Sequence, residues 1–142
     1  MACPSGVYGV THKRYGFNRT PHARDSNAWA GPSRGWLHSF AQHGRLIVVL
    51  GHHRCGAVSA AVSGASETGD IPGVLKAILP AVEETKGQSG DHIDNAVRAN
   101  ARDIAKRLQS SGPIIAPRMQ SGEVKIVAAY YSLDTGQIEL LK

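Results

Sequence analysis

Cysteine is scarce in this chain of 142 residues: Cys3 and Cys55 are the two it holds. That excludes a disulfide-stapled scaffold and leads us to expect a cytoplasmic protein with reduced thiols. Long apolar runs are missing too. No stretch approaches the ~20 residues needed to span a bilayer, so no membrane partner is expected. The first six residues, Met-Ala-Cys-Pro-Ser-Gly, contain no apolar core of a secretory signal. The first third also lacks acidic and aliphatic side chains. Residues 1–45 carry six Lys/Arg against one acid, Asp25, and their branched aliphatics are Val7, Val10 and Leu37 alone. Such a segment can bury little apolar surface to offset its ordering entropy.

The net charge of +5 comes entirely from that segment, because residues 46–142 hold ten basic and ten acidic side chains. A basic arm can contact phosphates, but a solvated arm is the commoner outcome, and nucleic acid is not expected as a partner. The chain therefore divides into residues 1–45, basic and pattern-poor, and residues 46–142, a regular α/β core. The Arg/Gly/His/Ser/Pro bias stops abruptly near Arg45. An out-of-frame origin or a misassigned start for residues 1–45 would produce such a break, and translating the upstream DNA in the other frames tests it.

Residues 1–34 show no sustained period and read as loop, with at most a short strand around residues 7–10. Residues 35–43 read as a short helix with Trp36, Leu37 and Phe40 on one face. Residues 46–50, Leu-Ile-Val-Val-Leu, form an unalternating apolar run that predicts a strand covered on both faces. Residues 57–63 predict a short helix ended by Gly64. After a polar loop over residues 66–70, Pro72 opens a helix in which Pro80 predicts a kink or an early stop. Residues 91–109 give the best helix, with Asp91 as N-cap and an apolar stripe of Ile93, Ala96, Val97, Ala101, Ile104, Ala105 and Leu108. A short helix over 114–121, a strand over 124–130, a turn, and a last antiparallel strand over 137–141 complete the chain. The fold class expected is α/β: a mostly parallel sheet flanked by helices, with an antiparallel last strand and an irregular N-terminal third.

Residues 51–56, Gly-His-His-Arg-Cys-Gly, follow the first apolar strand directly and carry the most chemistry. A phosphate loop would need a Lys and a Ser/Thr after the last glycine, where Ala57 and Val58 stand. A dinucleotide fingerprint would need a second glycine that is missing. Metal binding remains, because His52 and Cys55 offer the two ligand types zinc prefers. The strand end is where such sites collect in α/β sheets, and a helix starting at Gly56 would favour a thiolate. The competing interpretation is a buried Cys packed as a small hydrophobe beside a surface His. His53 and Arg54, between the two, are expected to face solvent. A metal site improvised from His12, His22, His38 and His43 lacks ligand spacing, and a disulfide between Cys3 and Cys55 does not suit a cytoplasmic chain.

From about Arg45 to Leu141 the sequence resembles the C-terminal two-thirds of a β-class carbonic anhydrase. Three segments carry the resemblance in order: the strand followed by Gly-His-x-x-Cys-Gly-Ala-Val, then Asp94-Asn95-Ala96-Val97-Arg98-Ala99-Asn100, then Tyr130-Tyr131-Ser132-Leu133-Asp134-Thr135-Gly136. The resemblance implies an enzyme, a zinc-dependent lyase that hydrates carbon dioxide reversibly to bicarbonate, and a homo-oligomer. It implies zinc ligands at His52 and Cys55 and a third at a Cys some fifty residues upstream, in the pattern Cys-x-Asp-x-Arg at the end of the first core strand. Cys3 stands 52 positions before Cys55, yet Cys3-Pro4-Ser5-Gly6-Val7 lacks the Asp and the Arg. The strand that should carry the motif, and the helical arm before it, are expected to be missing. Two consequences follow. Activity is expected to be impaired, with a catalytically inactive relic or interaction module as the alternative. The backbone of residues 46–50 is expected to lose a ladder partner unless another segment covers that edge.

Overall fold

The computed structural model describes residues 6–11, 18–19, 44–65 and 71–142, with side chains from Arg45 onward. In chain order the elements are β1 (Gly6–Thr11), β2 (Asn18–Arg19), β3 (Gly44–His52), α1 (Gly56–Ser63), α2 (Ile71–Glu84), α3 (His92–Gln109), α4 (Ile115–Gln120), β4 (Lys125–Tyr131) and β5 (Ile138–Leu141). They form one sheet in the order β2-β1-β3-β4-β5, with helices packed against it. The fold is α/β, as the sequence led us to expect. Parallel pairing is confined to the central β3–β4 ladder, and the other ladders are antiparallel. The β4–β5 turn is too short for a crossover, so that pair must be antiparallel.

The strand allowed around residues 7–10 is present as β1, and it covers the edge of β3 expected to be bare. Val7 pairs with Val49 and Val10 with Leu46. The pairing is antiparallel, so Gly6, the first residue of β1, lies opposite Leu50. The helix expected over residues 35–43 and the loop over 66–70 lie outside the described residues.

β3 alternates more than its sequence suggested. Ile47 and Val49 are fully buried, whereas Leu46, Val48 and Leu50 are half-buried. The buried face packs on Ala101, Ile104, Ala105 and Leu108 of α3 and on Ile126 and Ala128 of β4. Burying each large aliphatic contributes about 1.5–3 kcal/mol before entropy is counted. α3 begins at its predicted cap: the Asp91 carboxylate accepts from the Asp94 N–H at 2.9 Å. α1 ends on Gly64, whose φ of 67° is the left-handed cap glycine tolerates.

Of the two outcomes expected at Pro80, the early stop does not occur. α2 runs unbroken from Ile71 to Glu84 with Pro80 inside. Pro80 and Lys76, whose carbonyl loses its helical donor, are both exposed, while Leu75, Ile78, Ala81 and Val82 are buried on the other side. Burial of that stripe on both sides of the proline outweighs one missing hydrogen bond on the wet face. No described helix is long and apolar enough to cross a membrane.

Candidate metal centre

β3 delivers the site. It ends on Gly51 and His52, and the chain turns through His53 and Arg54 into Cys55, the N-cap of α1. A Cβ at Gly51 would lie 2.7 Å from Val97 Cγ1 and 3.2 Å from the Val97 carbonyl oxygen of α3. Glycine is what lets the strand end seat directly on that helix. The His53 N–H donates to the Tyr131 carbonyl at 2.9 Å, which carries the β3–β4 ladder into the turn. Arg54 adopts φ 53°, the left-handed region, at a cost of about 1–3 kcal/mol for a residue with a side chain.

His52 Nδ1 lies 3.0 Å from the His53 carbonyl oxygen. A proton on Nδ1 satisfies that contact and leaves the Nε2 lone pair for a metal. Cys55 is buried at 3% exposure among Val58, Leu75, Ala96 and Val97. Its side chain makes no capping hydrogen bond to α1, whose N-terminus it adjoins. The donor types fit zinc, but the described residues offer two candidate ligands where a catalytic zinc needs three. Among the described residues, no group of three or more His, Cys, Asp or Glu is placed to hold a metal ion. Cys3 lies outside them, as do Asp25 and the histidines of the first third.

A chain of charged and polar side chains surrounds the turn. One Asp134 oxygen accepts from the Arg54 guanidinium, and the other is 3.1 Å from His53 Nδ1. The latter approach does not make a hydrogen bond, and His53 Nδ1 has no hydrogen-bond partner among the described residues. His53 Nε2 faces Asp94 at 4.0 Å. The Tyr130 hydroxyl donates to Asp94 at 2.9 Å, Arg98 stacks 3.9 Å above the Tyr130 ring, and Arg98 pairs with Glu139 at 2.8 Å. Burial, reinforced by the Asp94 carboxylate, pushes the Tyr130 hydroxyl up to about 12.

The solvent-facing expectation holds for Arg54, with its side chain 63% exposed, but not for His53, which is held between two carboxylates at 24%. Asp94, Tyr130 and Asp134 were within segments that carried the family resemblance, yet sequence reasoning gave them no role. A cleft of about 560 Å³ opens beside this network, lined by His53, Asp94, Arg98, Tyr130 and Glu139. His52 and Cys55 do not line it, and its charged groups are paired with one another.

The central parallel β3–β4 ladder with helices packed against it defines the class: an α/β protein, with His52 and Cys55 at the end of β3. The family model described as carbonic anhydrase matches residues 41–138, and the chain belongs to the β-carbonic anhydrase family. It is 31% identical over 100 residues to carbonic anhydrase 2 of Mycobacterium tuberculosis, covering 67% of this chain and 48% of that protein. The chain thus spans about half the length of the curated relatives it matches. Among solved structures, the β-carbonic anhydrase CafA of Aspergillus fumigatus superposes with a TM-score of 0.65 at 21% identity, over 87% of this chain and 59% of that one. One of two tetrameric β-carbonic anhydrases from Sordaria macrospora gives 0.61 at 19% identity, over 68% and 52%.

Proposed function

We propose that this chain binds zinc through His52, Cys55 and Cys3 and hydrates carbon dioxide reversibly to bicarbonate. The observation that carries the reading is the His52–Cys55 pair at the end of β3, in a chain of the β-carbonic anhydrase family. The His53 carbonyl orients the His52 ring so that Nε2 faces away from the backbone contact. Cys55 is buried at the N-terminus of α1, where the positive end of the helix dipole favours an anionic sulfur. Zinc, when bound, supplies Lewis-acid activation of water at neutral pH.

What supports Cys3 as the third ligand is the direction of β1. Because β1 is antiparallel to β3, its beginning rather than its end adjoins Leu50, two residues before His52. Cys3 precedes Gly6 by three positions, a reach of about 10 Å in extended chain. A Cys ahead of a reversed strand enters at the same end of the sheet as a Cys that follows a parallel strand. No Asp/Arg pair accompanies Cys3 in the sequence, so turnover below that of complete family members is expected.

The Sordaria macrospora proteins are tetrameric, and a homo-oligomer is proposed here also. A cytoplasmic setting suits two thiol ligands that must stay reduced. Zinc content after gel filtration, followed by stopped-flow hydration of carbon dioxide, tests the reading. A zinc-to-protein ratio near one and a rate above buffer are expected. A ratio near one with no rate leaves a non-catalytic zinc protein. A ratio near zero removes the metal site.

A further inference from the structure

We propose that Asp134, in the β4–β5 turn, is a positioning residue for the His-x-x-Cys turn and sets its affinity for metal. The inference rests on the zinc reading above. Asp134 directs one carboxylate oxygen at each of the two residues between the ligands, Arg54 and His53. These are the residues that shape the turn. Arg54 holds the left-handed conformation, and His53 supplies the carbonyl that orients the His52 ring. Asp134 is 80 residues from Arg54 in sequence, so its ion pair with Arg54, beside its close approach to His53, links the turn to a separate part of the fold.

The turn that carries Asp134 is itself fixed. The Gly136 N–H donates to the Ser132 carbonyl and the Ser132 N–H to the Gln137 carbonyl, both at 2.9 Å. The Thr135 N–H donates to the Ser132 hydroxyl at 3.3 Å. On the other flank, the His53 N–H is bound to the Tyr131 carbonyl. A loop held by its own hydrogen bonds thus places one carboxylate across both intervening residues.

Magnitudes separate a positioning role from a structural one. The Arg54–Asp134 pair is more than half exposed on both sides, and exposed ion pairs add little to global stability. Asp134 touches neither ligand, so its effect on affinity is what its contacts contribute to holding the turn, a few-fold. Asp134→Ala should therefore leave the fold intact and weaken metal binding.

The experiment compares parent and Asp134→Ala full-length chains by zinc titration against a competing chelator, and by amide hydrogen exchange on both zinc-free proteins. The expected result is an affinity about three- to fivefold lower in the variant. Exchange should be faster at His53, Arg54 and Cys55 and unchanged in α3. The affinity gap should narrow near 1 M salt, where the Debye length is about 3 Å. An affinity within about twofold of the parent overturns the proposal, whatever the exchange shows. A parent chain that takes up no zinc overturns the zinc reading and the affinity role with it. In that event, unchanged exchange at residues 53–55 overturns the clamp on the turn as well.

Discussion

Gly51 of β3 rests directly against Val97 of α3, with room for a hydrogen and not for a methyl group: a Cβ would stand 2.7 Å from Val97 Cγ1. Val97 is buried and β-branched, with little rotamer freedom to yield. The contact sets the seat of the strand end that delivers His52. Gly51→Ala should destabilise the fold by about 1–3 kcal/mol through overpacking. Urea unfolding measures it, and an unchanged midpoint would show that α3 shifts freely.

Nearer the N-terminus of the same helix, the Asp91 carboxylate caps α3 and accepts from the Asp94 N–H. Asp94 in turn holds the Tyr130 hydroxyl and faces His53. Asp91→Ala should lower stability by about 1 kcal/mol. Asp91→Asn, which keeps the accepting oxygen, should recover most of it in the same unfolding assay.

Tyr130 gives the alkaline prediction. Its folded value of about 12 lies above the ordinary 10, so the folded state prefers the neutral hydroxyl. The stability this provides is complete below pH about 10 and lost as pH rises through about 12, at most ~2–3 kcal/mol. Ultraviolet titration should show one tyrosine ionising near 12. Tyr130→Phe should remove that component. If every tyrosine titrates near 10 in the folded protein, the burial argument fails.

The sequence made the central strands and α3 legible because their apolar patterns are local and repeat over several turns or residues. It made His52 and Cys55 legible because the ligand types stand three apart at a strand end. Pro80 does not stop the helix, because the buried stripe of Leu75, Ile78, Ala81 and Val82 lies on both sides of it, which a local breaker read alone does not show. The direction of β1 was not legible, since residues 6–11 pair with residues 44–50 across a long separation. The Asp134 and Asp94 contacts were hidden for the same reason: their partners lie 80 and 36 residues away.

The metal pair is tested by His52→Ala and Cys55→Ser. Each should bring the zinc-to-protein ratio from near one towards zero while far-ultraviolet circular dichroism stays that of the parent. The competing interpretation treats Cys55 as packing alone, because it is buried against Val58, Leu75 and Val97. Under that interpretation Cys55→Ser costs stability, through a buried hydroxyl, and leaves metal content where it was. Zinc content and melting temperature together separate the two.

Cys3 decides whether the site is complete. If it is the third ligand, Cys3→Ser should weaken zinc by more than about tenfold, the lower end of what even partners outside the ligand set cost. Loss of zinc should also loosen the start of β1, because a ligand three residues ahead of Gly6 would anchor the strand where it pairs with Leu50. Amide exchange at Gly6 and Val7 should then slow when zinc is added to the parent and stay fast in Cys3→Ser. A chain in which zinc binds with parent affinity and β1 exchange ignores the metal in both proteins would assign the third position to another donor. The reversed strand would then serve only to cover the edge of β3, and the missing Asp/Arg pair would have lost its Cys as well.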